Sequence, residues 1–204
     1  MRISAYTLSH IPSELFIALG HYRRKVFIEL LGWDLAQDSG LELDQFDSVH
    51  TVYLIAQDDS GSIVGCARLL PTTRPYLLST IFPQLMKGDE LPGAADVWEL
   101  SRFAALDLRH GGALRVDPFS APLAVELLQA ALHYAAEHEV RQLVAVSPVG
   151  VETLLHRAGF QARRTGTVQV VNGHRLMACR IDTQPSATWK NRHVGDQLHP
   201  GQWA

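Results

Sequence analysis

The sequence lacks the features that mark a disulfide-linked, secreted or membrane-spanning protein. It has only two cysteines in 204 residues. Cys66 and Cys179 both lie in apolar stretches, so we expect buried, reduced thiols rather than a disulfide. No apolar run approaches the roughly eighteen residues that a membrane span needs, and the N-terminus lacks the apolar stretch of a secretory signal. These absences predict a cytoplasmic protein with no membrane span.

Metal-binding and nucleic-acid-binding patterns are also missing. The ten histidines are scattered, and neither HExxH nor a paired Cys/His spacing occurs, so we predict no metal site. The net charge is -3, which gives no reason to expect a nucleic-acid partner. With 47% hydrophobic residues the chain can bury one sizeable core. We therefore expect a single domain over residues 1–204, with residues 183–204 as an exposed or loosely packed tail.

Apolar periodicity predicts a mixed α/β fold, with a twisted sheet covered by helices on both faces. Turn residues separate the elements, and Asn172-Gly173 is the strongest hairpin signal. Ser147-Pro148 has the pattern of a helix cap followed by a first-turn proline. The predicted strands are 3–8, the two arms around "DDSG", 97–104, 142–147 and the two arms around Asn172-Gly173. The predicted helices are 11–33, 81–86, 119–139 and the segment 148–160, which Gly159 closes.

Charged residues interrupt the apolar segments of this pattern. In "WELSRF", residues 98–103, strict alternation places Glu99 and Ser101 on one strand face and Arg102 on the other. Three carboxylates and three guanidiniums share this unusual context, and they are Asp44, Asp47, Glu99, Arg23, Arg68 and Arg102. Buried single charges are costly, so these groups must pair or face a cleft. A structural ion-pair network and a functional cleft both fit this pattern.

Four blocks that contain these charges carry a family resemblance. "RRKVFIELLGW", "LDQFDS", "GCARLLPTTRPYLL" and "WELSRFA" resemble, in order and spacing, the signature blocks of the acyl-homoserine-lactone synthases, which make bacterial quorum-sensing signals. The family signature falls on Arg23, Phe27, Trp33, Asp44, Asp47, Arg68, Glu99 and Arg102, and none is substituted. The resemblance implies an acetyltransferase-like (GNAT-like) sheet split between strands 97–104 and 142–147 to form an acyl cleft.

The resemblance also implies the substrates. Such enzymes take an acyl chain from the phosphopantetheine of an acyl-carrier protein, and they use S-adenosylmethionine as a substrate rather than a cofactor. The acyl group moves to the amine, and lactone closure then expels methylthioadenosine. The amine must lose a proton, and we expect Glu99 to remove it, with Asp44 as second choice. Arg23 or Arg102 would orient the substrate carboxylate by a forked pair of hydrogen bonds.

Further substrate contacts are expected from the same blocks and from the strand at 142–147. Phe27 and Trp33 would pack on the adenine and face the sulfonium cation. Asp47 and Arg68 would order the loop over the substrate. The remaining predicted substrate-binding residues are Ser101, Phe103, Ala145 and Val146.

The acyl chain and its carrier lead to two more expectations. The resemblance sets Ala145 where some relatives carry a Thr associated with 3-oxo substrates, so we expect an unsubstituted chain. A pocket lined by residues such as Leu143, Val146, Val149 and Leu155 would fit about eight carbons. Acyl-carrier proteins are strongly acidic, and "HRAGFQARR" supplies Arg157, Arg163 and Arg164 for docking. A solvated basic face is the simpler interpretation of those arginines.

Two other classes of function fit the sequence less well. A small-molecule N-acetyltransferase using acetyl coenzyme A needs a glycine-rich loop for the pyrophosphate. "RHGGAL" at 109–114 begins with Arg-x-x-Gly, but Leu114 stands where Gly or Ala is required. A non-catalytic module that only binds S-adenosylmethionine would keep the charged cleft and need no base.

Overall fold

The computed structural model describes residues 1–35, 40–108 and 122–184. Its strands are β1 (Arg2–Thr7), β2 (Val52–Gln57), β3 (Ile63–Pro71), β4 (Val97–Ala105), β5 (Gln142–Pro148), β6 (Ala162–Val171) and β7 (His174–Asp182). The α-helices are α1 (Ser13–Arg23), α2 (Leu77–Thr80), α3 (Pro122–Glu137) and α4 (Val151–Arg157). A π-helix over Arg24–Leu30 continues α1, and a 3-10 helix spans Pro83–Met86.

The strands form one mixed sheet in the order β1-β2-β3-β4-β5-β7-β6. β1, β2 and β3 pair antiparallel, β4 and β5 pair parallel, and β5, β7 and β6 pair antiparallel. The chain divides into two compact units. The first comprises Met1–Leu70 and Ser101–Ala131, and the second comprises Pro71–Leu100 and Leu132–Ala204.

In the first unit, helices cover both faces of the sheet. Ile55 pairs with Cys66, and both pack against the buried side of α1 and its π-helical continuation. The next pair along the strands, Ala56 with Gly65, points to the opposite face because side chains alternate. A Cβ on Gly65 would lie 3.4 Å from Leu127 Cδ2 of α3. The predicted mixed sheet with helices on both faces is therefore confirmed in this unit.

In the second unit, β5 has two neighbouring strands over only part of its length. β5 pairs with β4 over three residues only, from Val97–Gln142 to Glu99–Val144. Its pairing with β7 continues without a shift to Pro148. Past Val144, β5 is therefore held in the sheet by its antiparallel neighbour.

The two ends of α4 test two sequence predictions. Gly159, with φ +91°, follows the helix, as a left-handed glycine after a helix end should. Ser147 and Pro148 do not start the helix, because pairing with β7 keeps both in β5. Gly150, with φ +105°, is the N-cap instead, so that prediction was wrong.

The β6–β7 hairpin follows its turn sequence. Asn172 and Gly173 both have positive φ, 48° and 79°, as a type I′ turn requires. The predicted hairpin is thus confirmed.

Several sequence predictions fall wholly or partly outside the described residues. They are the start of the helix predicted from 119, the "RHGGAL" segment at 109–114, and the tail from 185 onward. In the described part of the chain, no helix is both long enough and apolar enough to cross a membrane.

Candidate active site

A buried cluster of three arginines and three carboxylates occupies the first unit. We call it the ion network, and it consists of Arg23, Glu42, Asp44, Asp47, Arg68 and Arg102. Opposite charges balance, three against three. All members are buried except Asp44, whose side chain is 20% exposed. Five of the six charges singled out in the sequence are therefore paired within this network, as their burial requires.

Arg23, at the end of α1, pairs with two carboxylates. Its Nε donates to Glu42 at 2.6 Å. Its two terminal nitrogens form a forked pair with Asp47, at 2.8 and 3.1 Å. Tyr53 also donates to Asp47, at 3.1 Å. Arg23 thus ties α1 to the segment around Asp47, and its fork is already in use.

Arg68, on β3, holds the other end of the same segment. It forms a forked pair with Asp44 at 2.6 and 3.0 Å, and its Nε donates to the hydroxyl of Ser101 at 3.0 Å. The main-chain N–H of Asp44 donates to Asp47 at 2.8 Å, and Phe46 N–H donates to Asp44 at 2.9 Å. The side chain of Asp47 is therefore fixed by the backbone of Asp44, and that of Asp44 by the backbone of Phe46, in addition to the arginines.

Arg102 reaches the network through an unusual backbone conformation. Its φ is +49°, which costs a non-glycine residue roughly 1 to 2 kcal/mol. This left-handed residue breaks the alternation of β4, so Ser101 and Arg102 both contribute to the network. The sequence prediction that they lie on opposite faces was wrong for this reason.

The guanidinium of Arg102 donates to Glu42 and to Asp44. The shortest bonds run from Nη2, at 2.9 Å to Glu42 and 2.8 Å to Asp44. Nη1 makes no hydrogen bond to any residue that the structure describes. Among the described residues, one terminal nitrogen of Arg102 thus has no partner, whereas both terminal nitrogens of Arg23 donate to Asp47.

Sequence reasoning missed Glu42, the carboxylate shared by Arg23 and Arg102. With Glu99 counted, three carboxylates already matched three arginines, so no further partner seemed necessary. The signal that was available is the alternation of "LELD", residues 41–44, which places Glu42 and Asp44 on the same side of an extended segment.

The network holds Asp47 and Glu42 in the charged form. Burial opposes the ionisation of Asp47, but the charges of Arg23 and Arg68 outweigh it and lower the pKa of that carboxyl to about 2. Burial likewise opposes the ionisation of Glu42, and the neighbouring arginines lower its pKa. The pKa of Tyr53 is raised, first by burial and then by the negative charge of Asp47.

Two aromatic rings lie against the network. Phe27, in the π-helix, is buried and stacks on Trp33 with ring centroids 4.8 Å apart. The guanidinium of Arg102 lies 5.7 Å from the centroid of each ring. Trp33 is 40% exposed, so it presents an open aromatic surface beside buried charges.

Glu99 lies in the second unit, where it caps a helix. It is fully buried. Its two carboxylate oxygens accept hydrogen bonds from the N–H groups of Leu77 and Leu78, at 2.9 and 2.7 Å. The first turn of α2 is anchored to β4 by these bonds.

The predicted acyl-chain residues differ in direction and exposure. Ala145 is buried and pairs with Cys179, whereas the next residue, Val146, is half-buried and points to the other face of β5. Phe103, on β4, is half-buried.

The three predicted docking arginines are exposed in the second unit. Arg157 lies on the last turn of α4. Arg163 and Arg164 are neighbours on β6, so their side chains point to opposite faces of the strand. The sequence cluster is therefore divided over two faces rather than gathered on one.

The described residues contain no group of three or more His, Cys, Asp or Glu side chains arranged to hold a metal ion. In the ion network, the three carboxylates are neutralised by three arginines instead. Within the network, solvent reaches the carboxylate of Asp44, which is 20% exposed. Asp44 and the exposed ring of Trp33 both contact Arg102. A partly exposed carboxylate and an open aromatic ring around one arginine suit a ligand that carries positive charge and a flat ring.

Comparison with known proteins identifies the family. The profile of the family described as "Autoinducer synthase" matches residues 8–190. An acyl-homoserine-lactone synthase of Acinetobacter nosocomialis is 45% identical over 182 residues, which cover 89% of this chain and 100% of the relative. The chain therefore belongs to the autoinducer synthase family, as the resemblance implied. The relatives are acyl-homoserine-lactone synthases, and the chain is accordingly an enzyme of the acyltransferase class.

Solved structures agree with this assignment. TofI, in a ternary complex with an inhibitor and MTA, has a TM-score of 0.77 and 40% identity, covering 90% of this chain and 92% of TofI. BjaI, a CoA-dependent acyl-homoserine lactone synthase solved with SAM and isopentyl-CoA, has a TM-score of 0.77 and 28% identity, covering 89% and 83%. A putative N-acetyltransferase from Lactobacillus plantarum shares the fold alone, with a TM-score of 0.58 and 15% identity. The expected acetyltransferase-like fold is therefore confirmed.

Proposed function

We propose that the protein makes an N-acyl-L-homoserine lactone from S-adenosylmethionine and an acyl chain carried as a thioester on acyl-carrier protein. The amine attacks the thioester carbonyl, a C–N bond forms, and the carrier thiol leaves. A carboxylate oxygen of the acylated intermediate then attacks the carbon next to the sulfonium. A C–O bond forms, the C–S bond breaks, and methylthioadenosine leaves. The product would serve as a quorum-sensing signal made in the cytoplasm.

The observation that carries this proposal is the ion network, with its partly exposed Asp44 and with the exposed ring of Trp33 packed against Arg102. S-adenosylmethionine has an ammonium, a carboxylate, a sulfonium and an adenine. Asp44 can attract the ammonium. Nη1 of Arg102, which has no partner among the described residues, can donate to the carboxylate. Trp33 offers a ring to the adenine or the sulfonium. The solved relatives TofI and BjaI, which hold MTA and SAM, support the same substrate.

The remaining network residues hold these groups in place. Asp47 and Arg68 fix the segment that bears Asp44, and Phe27 supports the inner face of Trp33. Arg23 was an alternative for the substrate carboxylate. Because its terminal nitrogens are already paired with Asp47, Arg102 is the better candidate. Holding the carboxylate in place favours lactone closure by geometry.

The general base remains a choice between Glu99 and Asp44, and we propose Glu99. Asp44 accepts from two guanidiniums, so taking up a proton there would break charge-assisted bonds. The partners of Glu99 include the neutral N–H groups of Leu77 and Leu78. Hydrogen bonds from neutral donors are weaker than those from a guanidinium, so these two oppose protonation less.

Glu99→Gln tests this assignment, with the exposed Glu90→Gln as matched control. Turnover should fall about a hundredfold or more in Glu99→Gln, as general-base loss does. The rise of the rate with pH on the acid side should disappear as well. A uniform loss at every pH would instead assign Glu99 to capping α2 alone, and near-normal activity would refute its role as the base.

Carrier protein is the proposed donor because exposed arginines lie on the two elements that follow the proposed acyl-binding strand β5 along the chain. Arg157 is the last residue of α4, and Arg163 lies on β6. An acidic carrier would be attracted to such groups. Coenzyme A is the second candidate donor, since the relative BjaI is CoA-dependent. For the chain itself, the methyl group of Ala145 offers no partner to a 3-oxo group, which favours an unsubstituted chain. Apolar side chains such as Leu143, Val146 and Leu155 would suit a chain of about eight carbons.

One panel of reactions tests the donor and the chain together. The purified protein is incubated with S-adenosylmethionine and one of four donors: octanoyl or 3-oxo-octanoyl groups, each on carrier protein or on coenzyme A. We expect octanoyl-homoserine lactone from octanoyl carrier protein as the dominant product by mass spectrometry. Dominance of a coenzyme A donor, or of the 3-oxo product, would contradict the corresponding part of the proposal. Acetyl transfer from acetyl coenzyme A to an unrelated amine would favour the N-acetyltransferase alternative.

A further inference from the structure

The hydroxyl of Ser147 on β5 is buried without a partner. Ser147 is 8% exposed, and its Oγ makes no hydrogen bond to any residue in the described part of the chain. An unsatisfied buried hydroxyl costs roughly 1 to 3 kcal/mol. Proteins retain such groups rarely, and each one needs an explanation.

Local structure does not supply that explanation. A Ser before a Pro is a common helix cap, but α4 begins at Val151 with Gly150 as its N-cap. Ser147 instead pairs in the sheet with Met177, and Ala145 on the same face pairs with Cys179. Both partners are buried. The hydroxyl is therefore a single polar group in an otherwise apolar stretch of this face.

The position of Ser147 suggests what it binds. It lies two strand residues beyond Ala145, a distance of about 7 Å, on the side of β5 that leads into α4 and Arg157. If the acyl chain contacts Ala145 and the carrier docks near Arg157, the arm that joins them passes between these two points. That arm is phosphopantetheine, which contains two amide groups.

We propose that Ser147 hydrogen-bonds an amide of the pantetheine arm and so positions the acyl donor. This inference rests on the proposed function and adds a positioning residue to it. A hydroxyl both donates and accepts, so it can pair with either the N–H or the carbonyl of an amide. The interaction is shared by carrier protein and coenzyme A donors, because both contain pantetheine.

Ser147→Ala tests the proposal, with the exposed Ser60→Ala as matched control. The Michaelis constant for octanoyl carrier protein should rise about three- to tenfold, in line with one lost hydrogen bond. The constant for S-adenosylmethionine should stay unchanged. The melting temperature of the free protein should not fall, because the variant removes an unsatisfied group rather than a contact.

A second donor and a second variant separate the remaining outcomes. In Ser147→Ala, the Michaelis constant for 3-oxo-octanoyl carrier protein should rise by the same factor as that for octanoyl carrier protein. A rise confined to the 3-oxo donor would assign Ser147 to the acyl chain and overturn the proposal. Ser147→Thr, which retains a hydroxyl, should keep more donor affinity than Ser147→Ala. An unchanged donor constant in Ser147→Ala would also overturn the proposal. That unchanged constant would leave the proposed function intact as long as the wild-type protein forms lactone in the same assay. A wild-type protein that forms no lactone would refute the proposed function itself.

Discussion

Glu42→Gln should destabilise the protein far more than its single changed atom suggests. Glu42 is 1% exposed and accepts hydrogen bonds from both Arg23 and Arg102. Replacing it with an amide leaves three buried guanidiniums facing two carboxylates. Breaking a buried ion pair from one side typically costs about 3 to 5 kcal/mol, since the remaining charge is uncompensated. We expect a loss in that range.

The magnitude can be checked by urea unfolding and by thermal melting at pH 7. For a chain of this size, 3 to 5 kcal/mol corresponds to a fall in melting temperature of roughly 6 to 20 °C. Asp59→Asn is the matched control, because its side chain is 96% exposed and surface ion pairs contribute little. It should melt like the wild-type protein.

Asp44→Asn sharpens the test within the same network. Asp44 is 20% exposed, so water can compensate part of the lost charge. Asp44→Asn should lose less stability than Glu42→Gln. For each kcal/mol of stability lost, however, Asp44→Asn should lose more activity than Glu42→Gln. If Glu42→Gln loses less than about 1 kcal/mol, the charge balance of the buried network does not determine stability, and the reasoning is refuted.

Three further predictions concern acid, backbone and docking. Because the pKa of Asp47 is lowered to about 2, its contribution to stability is complete above the ordinary pKa near 4 and is lost as the pH falls towards 2. The free energy of unfolding should therefore fall between about pH 4 and pH 2. A flat profile in that range would contradict this. Gly166→Ala should lower the free energy of unfolding in urea more than Gly173→Ala. Both glycines have positive φ, but of the two only Gly166 would bring a Cβ against a main-chain oxygen, that of Leu85, at 1.9 Å. Equal losses would contradict this. Reversing Arg163 and Arg164 to Glu should raise the Michaelis constant for carrier protein roughly tenfold at low salt and leave that for S-adenosylmethionine unchanged; an unchanged carrier constant would place docking elsewhere.

Sequence reasoning succeeded where local chemistry determines structure. The turn at Asn172-Gly173 needs two residues with positive φ, and these residue types supply them at little cost. The pairing of the buried charges was also predictable, because an unpaired charge in an apolar segment is too costly to retain.

It failed where distant partners determine the outcome. The left-handed φ of Arg102 depends on carboxylates some sixty residues earlier in the chain, so alternation alone gave the wrong face. The pairing of β5 with β7 outweighed the capping pattern at Ser147-Pro148. Glu42 was overlooked because the count of charges balanced without it, and only the structure shows that Glu99 contacts Leu77 and Leu78.

The most direct test of the proposed function is the stoichiometry of a single reaction. Purified protein is incubated with S-adenosylmethionine and octanoyl carrier protein, and lactone, methylthioadenosine and free carrier thiol are quantified over time. All three should appear in equal amounts, and Asp44→Asn should suppress all three together. Binding of S-adenosylmethionine without release of methylthioadenosine, or thiol release without lactone, would contradict the account.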